Sequence, residues 1–243
     1  MIGFRARLGF LVPPGNPTTE PEMIRLTPPG VSVHFTRMVA HGVTGSLDGQ
    51  EERNRTQIAH LDENVALLAM VNPSVMVLAH TATSYTLGRA GEQELIERIQ
   101  RSCGFRFITA FGSVVEALRR LGVERVAVGT PYSEASTQQC KANLEAYGFN
   151  VVSIGRLAGV QNIYDETAER AYGLARQVDA ADAQAVFLSG VGMPTIDTLA
   201  LMEQDLGKPV ISSAAAMMWN ALRIAHVNAP ISGYGRLLAS PNL

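Results

Sequence analysis

The chain predicts an α/β fold of two pseudo-symmetric, four-stranded parallel lobes, on three observations. Short apolar runs rich in β-branched residues alternate with longer amphipathic stretches from end to end. Most of the short runs (75–79, 126–129, 185–189) are near-continuously apolar, as strands are when helices cover both faces of a parallel sheet. The second half of the chain repeats the pattern of the first. The composition agrees: of 243 residues 47% are hydrophobic and only 17% charged, which excludes a disordered chain and supplies a large core.

In chain order, strands are expected at 8–13, 31–39, 74–80, 105–109, 125–130, 150–157, 185–190 and 209–213. Each is a β-rich run bounded by turn residues. Helices are expected at 50–71, 92–101, 112–121, 133–147, 165–178, 195–206 and 214–225, with a short one at 18–26. Gly122 and Gly148 stand where helices stop. The duplication is visible in four ordered pairs: 7–10 with 125–128, 75–80 with 185–190, 107–110 with 210–213, and 117–119 with 221–223. Their offset drifts from 118 to 104, as it does when loops change length and strands do not. The lobes predicted are 1–112 together with 221–243, and 113–220. They should face each other through the carboxyl ends of their strands, where open α/β sheets bind ligands.

Several function classes drop out. A net charge of -2 provides no basic surface for nucleic acid or an anionic membrane. No 18-residue apolar run is present, and the first apolar stretch is too short for a signal sequence, so a cytoplasmic protein is expected. Cys103 and Cys140 cannot build a disulfide framework or a zinc cluster. No phosphate-binding G-x-x-x-x-G-K-[ST], complete dinucleotide fingerprint, G-x-S-x-G elbow or H-x-x-x-H pair occurs, so no cofactor and no metal is expected. His60 and Glu63 share a helix face and read as solvated.

The chemistry should lie in the loops that leave the strands. After the first come Pro14 and Asn16; after the third, His80, Thr81, Ala82, Thr83 and Ser84; after the fifth, Tyr132; after the seventh, Gly190, Val191 and Gly192. Small hydroxyls, glycines and prolines with almost no charge suit a carboxylate or an enediolate held by hydroxyls and backbone N–H groups. The resulting pocket should be on the order of a few hundred Å3. His80 ends an apolar strand and opens a hydroxyl-rich turn, which suits a general acid or base, although a histidine bonded to neighbouring backbone fits the same position. For Asn16 and Asn162 plain turn formation is the alternative.

At these loops the chain resembles the aspartate/glutamate racemase superfamily, in the branch that holds arylmalonate decarboxylase and maleate cis-trans isomerase. Leu11-Val12-Pro13-Pro14 and Thr81-Ala82-Thr83-Ser84 resemble the decarboxylase, and Asn16-Pro17-Thr18-Thr19-Glu20 the isomerase. Asn162 falls where the isomerase has a substrate-holding asparagine. Tyr132, 188–192, 195–197 and 233–237 fit the branch as a whole. Racemases and isomerases of this kind use cysteines at the two strand-end positions held here by His80 and Gly190, and arylmalonate decarboxylase keeps only the second, as proton donor; this chain has neither, and Ala82 replaces a serine.

The resemblance therefore implies a cofactor-independent lyase acting on a small dicarboxylate through an enediolate. His80 would supply the proton. Thr81, Tyr132 and the N–H groups of the 82–84 turn would form the oxyanion hole, with Thr83 or Ser84 covering for Ala82. Pro14, Asn16, Asn162 and 190–192 would complete the substrate site. Two alternatives stay open: an isomerase using His80 in place of cysteine, and a catalytically inactive carboxylate-binding homologue. The only partner implied is the small carboxylate; oligomeric state is open, homo-oligomers being usual among such enzymes.

Overall fold

Eight parallel strands carry the molecule, in two sheets of four. A computed structural model describes residues 2–241; the last two residues of the predicted 221–243 segment and Met1 lie outside them. The first sheet has the order β2-β1-β3-β4, from β1 (Ala6–Val12), β2 (Val31–Arg37), β3 (Val75–Leu78) and β4 (Arg106–Thr109). The second repeats it as β6-β5-β7-β8, from β5 (Arg125–Thr130), β6 (Asn150–Arg156), β7 (Ala185–Leu188) and β8 (Val210–Ser212). All six pairings are parallel. The inner strands β3 and β7 are buried at every residue, whereas the edge strands β2 and β6 are mostly half-buried. That contrast is the source of the near-continuous apolar runs in the sequence.

The helices are α1 (Thr19–Arg25), α2 (Gln50–Ala59), α3 (Leu61–Ala69), α4 (Thr81–Cys103), α5 (Ala110–Arg120), α6 (Glu134–Ala146), α7 (Ala168–Val178), α8 (Leu199–Leu206), α9 (Ser213–Ile224) and α10 (Arg236–Ala239). The duplication extends to the caps. Thr109 at the end of β4 accepts from Gly112 N to start α5, and Ser212 at the end of β8 accepts from Ala215 N to start α9. These two helices pack on each other; α5 touches β4 and β8, and α9 touches β3, β4 and β8. The two sheets are joined through this pair.

Three elements differ from the sequence reading. The predicted 50–71 helix breaks at His60, where Asn64 Nδ2 donates to the freed His60 carbonyl at 2.8 Å. Helix α4 begins at Thr81, eleven residues before the predicted start at 92, and bends at Gly88 (φ 66°, ψ 172°), a conformation natural only to glycine. The short helix α10 has no counterpart in the reading. None of the helices in the described residues is long and apolar enough to cross a membrane.

Candidate active site

His80 lies two residues beyond the end of β3, with Ala79 N bonded to Leu11 O at 2.9 Å. Gly190 lies two residues beyond β7, with Ser189 N bonded to Gly129 O at 2.8 Å. The two residues thus occupy equivalent places in the two lobes. His80 is buried, and its Nδ1 pairs with Thr83 Oγ1 at 2.7 Å, which leaves Nε2 for the cavity the ring lines. Burial, reinforced by the positive charge of Arg53, lowers the imidazole pKa to about 4. At neutral pH the ring carries no charge.

A hydroxyl network spans the lobe boundary beside it. Thr81 Oγ1 donates to Ser213 Oγ (3.0 Å), and the same oxygen accepts from Gly190 N (3.2 Å). Tyr85 OH pairs with Ser189 Oγ at 2.7 Å. Tyr132 is fully buried edge-on to Tyr85, with Ser189 and Thr81 in hydrogen-bonding reach of its phenol. Burial dominates and pushes its pKa well above the ordinary tyrosine value, so it is a neutral donor. At Gly190 φ is 102°, and an added Cβ would meet Pro131 Cγ at 3.0 Å and the Tyr132 hydroxyl at 3.2 Å. A side chain at this position would point at the phenol.

The other residues singled out by sequence are placed as follows. Asn16 is wholly buried and fully engaged: Oδ1 accepts from Thr18 N and Thr19 N, and Nδ2 donates to Thr19 Oγ1 and, across the boundary, to Val191 O. Gly192 O accepts from Thr18 Oγ1. Ala82 O accepts from Asn54 Nδ2. The hydroxyls of Thr83 and Ser84 are committed, the first to His80 and the second to the buried Glu92 carboxylate at 2.6 Å. Asn162 Oδ1 accepts from Tyr164 N beside Gly45. Cys140 is buried in α6, and burial pushes its thiol pKa up to about 12 against the smaller, opposing effect of its Tyr85 contact; Cys103 ends α4.

Pro14 and His80 line a cavity of about 20 Å3, room for a single water. It is far smaller than the few hundred Å3 expected, and of the residues singled out by sequence only these two are on its wall; Asn16, Thr81, Tyr132, Asn162 and 190–192 are not. The 40–49 loop and the 157–167 loop meet over it, joined by Ile163 N to Gly45 O at 2.9 Å, with the Tyr164 ring lining it beside Thr44. The remaining wall is a polar face of α2: Gln50, Arg53, Asn54 and Gln57, all buried. The sequence reading missed these four. Their 3–4-residue spacing continues into the buried Leu61, Asn64, Val65 and Leu68 of α3, so the periodicity marks one inward face whose first half is polar. A larger groove of about 670 Å3, walled in part by Arg106, Arg119 and Arg223, lies by the first residue of β4, at the opposite end of the sheet. Arg119 and Arg223 there end helices, where a cation offsets the macrodipole.

Two equivalent four-stranded parallel sheets, with counterpart strand-end residues in each, define a duplicated α/β fold. The chain belongs to the arylmalonate decarboxylase family, whose model matches residues 8–238. It is 31% identical to the maleate isomerase of Nocardia farcinica, over 98% of this chain and 96% of that protein. It is also 31% identical to the arylmalonate decarboxylase of Bordetella bronchiseptica, over 68% of this chain and 70% of that one. Among solved structures, a cysteine-to-serine variant of the Nocardia farcinica maleate cis-trans isomerase, with a covalently bound succinylcysteine intermediate, superposes with a TM-score of 0.86. It is 27% identical, with 96% of this chain and 98% of that one covered.

Proposed function

We propose that the protein is a cofactor-independent, decarboxylase-like lyase that converts a small dicarboxylate through an enediolate. One observation carries the reading: the paired strand-end positions hold a cavity-lining histidine and a glycine, while both cysteines lie in helices, Cys140 as a neutral buried thiol. Covalent addition of a strand-end thiol to a double bond, the step implied by the succinylcysteine intermediate of the Nocardia relative, has no nucleophile here. Two-thiol racemisation lacks both of its groups. Decarboxylation asks for less: stabilisation of the charge left when carbon dioxide departs, and one proton donor.

Thr81, Tyr132 and the backbone N–H groups opening α4 supply the first. Burial keeps Tyr132 protonated, so its O–H is available to a developing oxyanion. His80 supplies the second. An uncharged imidazole is a competent donor to a strongly basic enediolate, and the Thr83 contact to Nδ1 holds the ring and leaves Nε2 for the cavity. Pro14, Asn16, Asn162 and the 190–192 loop shape the site. Ala82 brings no hydroxyl, and those of Thr83 and Ser84 are engaged with His80 and Glu92, so the oxyanion hole draws on Tyr132, backbone and the Thr81 hydroxyl, whose O–H turns from Ser213 Oγ to donate. This is a cytoplasmic role needing no partner but the substrate.

The test is turnover of malonate, substituted malonates and maleate followed by proton NMR in heavy water. Loss of carbon dioxide with deuterium incorporated at the adjacent carbon is the expected result. Maleate going to fumarate without loss of carbon would replace the reading with an isomerase. Silence with retained binding would replace it with an inactive carboxylate-binding homologue.

A further inference from the structure

The buried polar face of α2 has no role in the reaction as derived so far. Arg53 is 8% exposed, and its guanidinium binds only main-chain carbonyls, those of Asp48 (2.6 Å) and Ser46. Those contacts use two of the five N–H donors of a guanidinium. Its side chain lines the closed cavity together with His80, and its charge is felt at the imidazole. One turn along the same face, Gln57 is 4% exposed and lines the same cavity, and its Oε1 has no hydrogen-bond partner. Asn54 Oδ1 is likewise buried and unpartnered. A buried guanidinium on the cavity wall with N–H donors unused, bonded to main-chain oxygens while the Asp48 charge is felt nearby, is incompletely satisfied until an acceptor occupies the cavity.

We propose that Arg53 is the anion receptor of this site and takes the carboxylate that the substrate keeps through the reaction. This rests on the carboxylate-lyase reading and names the group that reading left unassigned. The choice between the two carboxylates follows from charge. The departing one becomes neutral carbon dioxide, so a guanidinium on it would hold the ground state more firmly than the transition state. The retained one gains negative charge as the enediolate forms, and there a fixed cation helps most. With the Arg53 guanidinium on the retained carboxylate, the cation replaces the hydroxyl missing at Ala82. The substrate is thereby specified as an acid whose retained group is ionised; an ester or amide at that position is rejected because it leaves Arg53 unpaired.

The experiment is calorimetric titration of wild type, Arg53→Met and Arg53→Lys with malonate and with monomethyl malonate, alongside the histidine NMR resonances. Malonate should bind Arg53→Met about 10- to 100-fold more weakly than wild type, the loss expected for a charge-assisted hydrogen bond. Arg53→Lys should stay within about tenfold of wild type, because a point charge is kept. Monomethyl malonate keeps one carboxylate for Arg53 and should weaken likewise in Arg53→Met, and malonate should shift the His80 resonance in wild type but not in that variant. A folded Arg53→Met that binds malonate as tightly as wild type overturns the inference and leaves the lyase reading standing. Equal weakening of both ligands in both variants, with a matching drop in melting temperature, assigns Arg53 to holding the 46–48 loop and also overturns it. Wild type that neither binds nor turns over any dicarboxylate takes down both.

Discussion

His80 shows how a position fixes a chemistry. An imidazole in water is half-protonated near pH 6.5; here desolvation, with Arg53 adding to it, brings the value to about 4. In histidine NMR spectra of the free protein, its resonance should therefore keep the neutral form at pH 6, where ordinary histidines titrate. A titration midpoint near 6.5 would mean the ring is open to solvent. General acid–base help is typically worth 10²–10⁴-fold. His80→Ala should lose turnover in that range with little change in ligand binding, and His80→Cys should recover part of it. Near-normal turnover in a folded His80→Ala would move proton delivery to Tyr132 or a water. His80, Thr81 and Tyr132 were legible as candidates because each follows an apolar strand, and strand ends are where such sheets bind ligands. Arg53 and Gln57 were not, because a charged stretch read as one solvated helix gives no sign of its inward face until the break at His60 and the buried Leu61 and Leu68 fix the register.

At the scale of elements, the lobes are clamped by buried carboxylates. Glu92 of α4, entirely buried, accepts from Ser84, Thr109 and Tyr147, so one side chain ties the turn after His80 to the end of β4. Glu22 of α1 reaches across the boundary: its Oε1 accepts from Thr195 N (2.7 Å) and Ile196 N (3.1 Å), while Oε2 is buried without a partner. Desolvation outweighs those two N–H contacts and raises its pKa to about 7. A folded value above the unfolded one means that the folded protein holds this proton longer. The stability it contributes is present below about pH 4.5 and is lost as pH rises through about 7, by up to about 3 kcal/mol. His80 acts in the opposite sense, since its lowered value costs stability as pH falls from about 6.5 towards 4. Glu22→Gln keeps an acceptor and removes the charge, so the variant should gain on wild type steadily between pH 5 and 8 in urea unfolding. Parallel curves would show Glu22 to be ionised throughout. Neither clamp was legible, because the residues concerned are distant in sequence and only tertiary packing joins them. The start of α4 escaped for a related reason. Thr81, Thr83, Ser84 and Thr86 favour turns and strands over helix, and it is burial against the core that makes the segment helical.

The duplication is the whole-molecule feature most legible in the sequence, and it has a stereochemical consequence. The two sheets share one strand order, and the backbone bonds at Ala79 and Ser189 show that His80 and Gly190 are counterparts. Facing lobes related by a pseudo-twofold present such counterparts to opposite faces of a planar intermediate held between them. An enzyme with a donor at both places can protonate either face; on the proposed reading this chain has one, His80, at the first-lobe position, and Gly190 has no side chain to donate from. The product of a prochiral, unsymmetrically substituted malonate should therefore be a single enantiomer, with deuterium from heavy water delivered from the His80 side. Chiral chromatography of the wild-type product checks this, and a racemic product would require a second donor and end the argument. The reciprocal exchange is the sharper measurement. His80→Gly combined with Gly190→Cys moves the donor to the other lobe and should invert the product's hand. Its rate should be low, because position 190 holds φ at 102° and a side chain there crowds Pro131, strain that an L residue tolerates only at a cost of about 1–3 kcal/mol. Retention of the original hand in that double variant would show that the proton comes from a group common to both proteins, with Tyr132 the one nearest position 190.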